Sequence, residues 1–132
     1  MSENFPVYKD ERGTLVPIDF DNLPFKPKRI FYVKDVPKGE RRGNHAHFTT
    51  KQILVCLQGK INVKLEMVDV EWEITLEPNE SVFVDKLVWD SQVYMTGNDI
   101  LMSICSTYHD DSDYIKDFDE FCKLRKNYEQ YK

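Results

Sequence analysis

Two histidines separated by one residue are the side chains of this sequence best suited to chemistry. His45 and His47 lie in the segment GERRGNHAHFTTKQILVCLQG, which runs from Gly39 to Gly59. In an extended strand alternate side chains point to the same face, so both imidazoles are expected on one face. An imidazole with a pKa of about 6.5 can accept and donate protons near neutral pH. A single histidine is usually structural, but a pair between arginines and an apolar strand favours a catalytic role.

Short runs of β-type sequence surround the histidine pair. Residues 61–67 alternate apolar and polar side chains, and residues 52–57 form an apolar run. Turn-forming Gly, Pro, Asn and Asp residues separate the runs. We predict strands in the ranges 6–8, 14–18, 29–33, 52–57, 61–67, 71–76, 81–85, 88–94 and 100–105. Many short strands without a helical period indicate an antiparallel sandwich or barrel.

The pattern changes at residue 112. Ser112 and Asp113 are typical of a helix N-cap, and apolar side chains follow at helical spacing as far as Leu124. We predict a short C-terminal helix that packs on the outside of the barrel and has no catalytic role. A length of 132 residues suits one domain, residues 1–132, of the all-β class.

Composition excludes several classes of protein. A net charge of −5 argues against a nucleic-acid-binding surface. The longest apolar run is shorter than the roughly 20 residues of a membrane span, and the N-terminal residues lack the apolar region of a signal peptide. Cys56, Cys105 and Cys122 are scattered without a paired spacing, which indicates reduced thiols. We therefore expect a cytoplasmic protein.

The spacing around the histidines resembles the first motif of the cupin superfamily. Gly39, His45, His47 and Gly59 match its pattern, whereas Gln52 replaces the glutamate of metal-binding cupins. The resemblance implies a jelly-roll barrel. Asp90 stands at about the place where the second cupin motif adds a third histidine. Two imidazoles and a neutral amide compensate little of a divalent charge, so we expect no metal and no other cofactor.

A second resemblance covers nearly the whole chain. Segments 10–15, 24–32, 42–47 and 112–121, with Val88-Trp89, occur in the order of the sugar 3,4-ketoisomerase family. This resemblance implies that the chain acts on dTDP-4-keto-6-deoxyglucose in deoxysugar biosynthesis for surface glycans. The product would be a dTDP-3-keto-6-deoxyhexose, formed through an enediol. The family typically continues Trp-His-Glu-Met where this chain has Trp89-Asp90-Ser91-Gln92.

The implied reaction takes a proton from C3 of the sugar and delivers one to C4. We predict His47 as the main proton shuttle, with His45 as its partner or as a donor to the enediolate oxygen. Tyr32 shares a strand face with Ile30, a presumed core residue. Its hydroxyl either reaches the sugar as a third catalytic group or is satisfied elsewhere in the core.

Four further residues are candidates for binding the nucleotide sugar. Arg42 offers a bidentate guanidinium to the diphosphate, or else is a solvated loop charge, and Arg41 is its neighbour. Gln52 can hydrogen-bond a sugar hydroxyl. Trp89 either stacks on the thymine or fills the barrel.

Two other functions stay open at this stage. A metal-dependent cupin oxygenase would use His45, His47 and Asp90 as ligands. A non-catalytic module would bind the nucleotide sugar without turning it over.

The N-terminal part of the sequence predicts a homodimer. Its aromatic residues and the apolar edge strands favour edges covered by a second copy. The family that the chain resembles is dimeric, in agreement. The aromatic residues are Phe5, Tyr8, Phe20 and Phe25.

Overall fold

A computed structural model of the chain describes residues 5–131. Its strands and helix in chain order are β1 (Tyr8–Asp10), β2 (Gly13–Leu15), β3 (Arg29–Val33), β4 (Arg41–His47), β5 (Gln52–Gln58), β6 (Ile61–Glu66), β7 (Glu71–Leu76), β8 (Ser81–Val84), β9 (Trp89–Tyr94), β10 (Ile100–Cys105), β11 (Tyr114–Ile115) and α1 (Phe118–Tyr131). The predicted all-β fold with one C-terminal helix is confirmed. Among these residues no helix has the length and apolar character needed to cross a membrane.

Two antiparallel sheets enclose the core. One has the strand order β3-β10-β5-β8 and the other β11-β4-β9-β6-β7. Consecutive strands often lie in different sheets, as β4 and β5 do, so the chain crosses between sheets in the manner of a jelly roll. Within the described residues, β1 and β2 pair only with each other. This hairpin therefore stands apart from both sheets.

The alternation of the sequence sets which side chains enter the core. On β6, Ile61, Val63 and Leu65 are fully buried, while the intervening Asn62 and Lys64 are half-buried. The inner faces of the two sheets contribute a single apolar cluster between them. Burying this apolar surface is the main term that stabilises the barrel.

The helix covers the outer face of the five-stranded sheet, as the sequence predicted. Trp89 and Phe121 are buried there, and Arg125 donates to the carbonyl of Leu87 at 2.9 Å. The predicted start at residue 112 is wrong, because α1 begins at Phe118. The preceding residues form a short 3-10 turn and then β11, which pairs with β4.

Candidate active site

The two histidines lie at the end of β4, on its core-facing side. β4 pairs with β9, and its register shifts between Gly43 and His45, where Asn44 has a φ of 59°. The extra residue keeps Arg42 and His45 on the same face of the sheet, opposite alternate residues of β9. His47 follows His45 by alternation, and their ring centroids are 5.1 Å apart. The prediction that the two imidazoles share a face is confirmed.

His47 is buried and uncharged near neutral pH. Burial, and then the proximity of His45, lowers the pKa of His47 from 6.5 to about 4. Asp113 opposes this shift, with its Oδ2 3.3 Å from Nδ1 of His47. Nδ1 of His47 has this carboxylate as its polar neighbour, outside strict hydrogen-bond geometry, and Nε2 has no hydrogen-bond partner among residues 5–131. A neutral imidazole shielded from water is able to take a proton from a bound molecule.

Asp113 is held as a carboxylate beside His47. It accepts bonds from the backbone N–H and hydroxyl of Thr49, at 2.9 and 2.7 Å, and from the same two groups of Thr50. Burial raises the pKa of Asp113, but these donors outweigh burial and keep the pKa below its usual range. The sequence analysis placed Asp113 in a helix cap and missed this contact. No local pattern in the sequence could indicate this contact, because residues 49 and 113 are brought together by the pairing of β11 with β4.

His45 lies nearer the opening of the barrel and contacts Tyr114. Its side chain is 23% exposed, and its ring centroid is 5.1 Å from that of Tyr114. The Tyr114 ring also lies 4.5 Å from that of His47, so it packs against both imidazoles. Burial lowers the pKa of His45, a hydrogen bond with the Gly43 backbone raises it, and Lys116 lowers it further. Sequence analysis missed Tyr114 because it was assigned to the helix.

Asp90 faces His45 from β9. The two residues are direct partners across the strands, and Oδ1 of Asp90 is 3.8 Å from Nε2 of His45. The carboxyl group is buried, and Gln92 donates to it from 3.5 Å. Burial raises the pKa of Asp90 to about 7, although the bond from Gln92 works against this rise.

Two of the predicted binding residues line the same cavity as His45. Arg42 and Gln52 border it together with Gln92 and the apolar side chains of Phe31, Val33, Leu54 and Leu101. The amide of Gln52 also donates to the thiol of Cys105, at 3.6 Å. The structure thus brings Arg42 and Gln52 together with His45 around one cavity.

Tyr32 lies on the opposite side of its strand from this cavity. The β3 residues that face inward are Arg29, Phe31 and Val33, whereas Tyr32 is 66% exposed. The premise that Ile30 is a core residue is wrong, because Ile30 is 51% exposed. Alternation places two faces on a strand, and here the face with the arginine is the buried one.

Arg41 and Trp89 also lie away from the histidines. Arg41 donates to the hydroxyl of Ser91 at 2.6 Å, on the outer face of the sheet. Trp89 packs under α1, with ring centroids 5.2 Å from Phe118 and 5.6 Å from Phe121. Trp89 therefore fills the layer between sheet and helix and not the interior of the barrel.

The donor atoms do not form a metal site. Across residues 5–131, no group of three His, Cys, Asp or Glu side chains is placed to hold a metal ion. Asp90 contacts His45 from the neighbouring strand β9, whereas Nδ1 of His47 lies beside the carboxylate of Asp113. The set His45, His47 and Asp90 proposed for a cupin oxygenase does not fit a metal in this arrangement.

Comparison with known proteins identifies the family. The family model FdtA: WxcM-like, C-terminal, matches residues 2–126. The chain belongs to this family. TDP-4-oxo-6-deoxy-alpha-D-glucose-3,4-oxoisomerase of Aneurinibacillus thermoaerophilus is 38% identical over 122 residues, which are 91% of this chain and 88% of that protein.

Solved structures of family members superpose closely. A histidine-to-asparagine mutant of the 3,4-ketoisomerase QdtA of Thermoanaerobacterium thermosaccharolyticum, in complex with TDP-4-keto-6-deoxyglucose, matches with a TM-score of 0.92 at 31% identity, covering 96% of this chain and 94% of that one. WlaRA of Campylobacter jejuni, a TDP-fucose-3,4-ketoisomerase, gives a TM-score of 0.88 at 28% identity, with 96% of each chain covered. The predicted cupin fold, 3,4-ketoisomerase family and isomerase class are confirmed.

Proposed function

We propose that this protein converts dTDP-4-keto-6-deoxyglucose into a dTDP-3-keto-6-deoxyhexose by proton transfer within the barrel. The observation that carries the proposal is the buried, neutral His47 beside the carboxylate of Asp113. The substrate is that named for the curated relative and for the QdtA complex. Deoxysugar biosynthesis is the corresponding pathway.

His47 acts as the base that takes the proton from C3. With this proton the imidazole becomes a cation, and the Asp113 carboxylate, whose Oδ2 is 3.3 Å from Nδ1, stabilises it. Because burial keeps the pKa of His47 low, the imidazolium readily returns a proton, now to C4 of the enediol. His45, at 5.1 Å from His47, serves the sugar oxygens.

Arg42 and Gln52 bind the nucleotide sugar in this proposal. Both line the cavity that contains His45. Arg42 is exposed, which suits contact with a diphosphate at the opening, whereas the buried Gln52 suits a sugar hydroxyl. Tyr32, Arg41 and Trp89 receive no role in this chain's own site, because their side chains lie on other faces.

The active protein is proposed to be a homodimer of single-domain chains. The β1–β2 hairpin is exposed throughout, and Leu15 is 65% exposed. Ile30 and Tyr32 are exposed on the edge strand β3. Covering these apolar side chains with a second copy removes them from water. Sedimentation at micromolar concentration is expected to give a dimer, and a monomer would contradict the proposal.

A reducing, cytoplasmic location belongs to the same proposal. Cys56, Cys105 and Cys122 are free thiols, and the first two are buried. Persistent free thiols are typical of reducing compartments.

The reaction is tested by NMR with dTDP-4-keto-6-deoxyglucose in D₂O. We expect deuterium exchange at C3 and a 3-keto product with the wild-type protein. His47→Asn is expected to reduce turnover by about 10³-fold with the fold intact, because the proton carrier is lost. His109→Asn is the matched control, since His109 is exposed and bound to Asp111. Absence of both exchange and product with the wild type would contradict the proposal. If the wild type binds the nucleotide sugar without turning it over, and His47→Asn binds it equally well, the protein is the non-catalytic module.

A further inference from the structure

Asp90 is a buried carboxyl group that the mechanism above does not use. It lies between His45 on β4 and Leu65 on β6, its direct partners in the two neighbouring strands. The groups facing it are the His45 imidazole, the apolar Leu65 side chain and the amide of Gln92 on its own strand. The hydroxyl of Tyr94 is bonded to Gln92, at 3.2 Å.

The surroundings of Asp90 do not stabilise a negative charge. Its one hydrogen bond within the described residues is the 3.5 Å contact from Gln92, and no lysine or arginine pairs with it there. Asp113 and Asp99 differ, since each accepts bonds from several backbone and hydroxyl donors. A buried carboxyl without such donors keeps its proton toward neutral pH, in line with its raised pKa of about 7.

The proposed reaction moves two protons, and the second, which His45 meets at the sugar oxygens, has no group assigned to hold it. When the carbonyl passes from C4 to C3, a proton travels from C3 to C4, and a second travels from the C3 hydroxyl to the C4 oxygen. His47 carries the first. The second needs a group that gives a proton to one oxygen and takes a proton from the other.

We propose that Asp90 acts through His45 as the proton store for the two sugar oxygens. This inference rests on the proposed function. Oδ1 of Asp90 is 3.8 Å from Nε2 of His45, which is longer than a hydrogen bond, and catalytic contacts of this kind often shorten only when the substrate binds. Asp90 is thus a positioning and proton-holding residue, and His45 is the group that meets the substrate.

The protons balance over one turnover. His47 takes the C3 proton while the His45–Asp90 pair gives its proton to the C4 oxygen, which leaves a neutral enediol. The pair then takes the proton of the C3 hydroxyl, the C3 carbonyl forms, and His47 returns its proton to C4. Both residues end in their starting states, and no oxidant or reductant is consumed.

The test compares the wild type with Asp90→Asn and Asp90→Glu across the pH range. We expect Asp90→Asn to lower kcat by at least about 100-fold with KM changed by less than about threefold, because an amide cannot release a proton. The wild-type kcat/KM is expected to fall above pH 7 as Asp90 ionises, and Asp90→Asn removes that decline. The kcat of Asp90→Glu is expected to be at least about tenfold higher than that of Asp90→Asn.

Controls separate this inference from the proposed function. Asp119→Asn, the same substitution at an exposed position of α1, is expected to behave as the wild type. An active wild type with an Asp90→Asn variant that keeps its turnover and its alkaline decline would overturn the role of Asp90 alone. An inactive wild type would overturn the proposed function and this role with it. Should Asp90→Asn fail to fold, ¹³C NMR of labelled wild-type aspartates decides: one carboxyl titrating near pH 7 supports the inference, and none overturns it.

Discussion

Each active-site histidine faces an aspartate, and the two aspartates lie in opposite environments. Asp113, beside His47, accepts four hydrogen bonds from two threonines and stays ionised. Asp90, across from His45, receives one long contact from Gln92, and burial raises its pKa to about 7. The same side chain takes opposite charge states because donors stabilise the carboxylate, whereas burial without donors stabilises the acid.

This difference divides the work between the two pairs. The ionised Asp113 stabilises a cation on His47, as the C3-to-C4 proton transfer needs. The protonated Asp90 supplies a proton beside His45, as the oxygen-to-oxygen transfer needs. Enzymes that run acid and base chemistry in one site use the same separation of environments. The predictions below test the two pairs from the largest expected effect to the smallest.

The largest change in stability is expected at the ionised pair. Asp113→Asn removes the charge that stabilises the His47 imidazolium and leaves the donors of Thr49 and Thr50 facing an amide. We expect kcat to fall by about 100-fold and the free energy of unfolding to fall by about 2 kcal/mol. Steady-state kinetics and urea unfolding measure the two changes, with Asp119→Asn as the exposed control. An unchanged kcat would show that the charge of Asp113 does not assist proton transfer by His47.

The same substitution at the other pair is expected to stabilise the protein. The pKa of Asp90 is raised from 3.8 to about 7 on folding. Its contribution to stability is therefore fully present below pH 3.8 and is lost as the pH rises to about 7. Asp90→Asn removes this loss, so Tm should rise by about 5 °C at pH 8 and the gain should vanish near pH 4. Calorimetry at both pH values checks this, and a lower Tm at pH 8 would show that the carboxylate is stabilised in the fold.

A smaller effect is expected from one donor of Asp113. Thr50→Val deletes the hydroxyl that bonds both Asp113 and the hydroxyl of Thr107, while the backbone N–H of residue 50 still donates to Asp113. We expect the free energy of unfolding to fall by about 1 kcal/mol and kcat by less than about tenfold. Thr75→Val is the matched control, because the Thr75 hydroxyl is exposed and accepts a bond from the side-chain amide of Asn62 at 3.1 Å. Equal losses of stability and of kcat in both variants would show that the hydroxyl bond to Asp113 contributes no more than a bond between exposed side chains.

Local sequence patterns were sufficient for several features of the site. The two-residue period of a strand places His45 and His47 on one face without any tertiary information. The segment from Gly39 to Gly59 resembles the first cupin motif, and that resemblance implied the barrel; Arg42 and Gln52 line the cavity with His45. These features depend on residues close together along the chain, where backbone geometry alone relates the side chains.

Other features depended on which strands pair. Alternation on β3 separates Tyr32 from Arg29, but it does not say which face is turned inward. In the structure the face that carries Arg29 is half-buried and the face that carries Tyr32 is exposed. The helical pattern after residue 112 was overridden at Tyr114 by pairing with His47. Propensity is a weak preference that contacts distant in sequence can outweigh.

The sequence by itself determined antiparallel strands and two imidazoles side by side, because both follow from local periodicity, and its resemblance to the cupin motif implied the barrel. Only the tertiary structure decided that Asp113 reaches His47 and that Asp90 is enclosed opposite His45. The charge of a carboxyl depends on its solvation and on the donors around it, and those are supplied by strands far away in the chain.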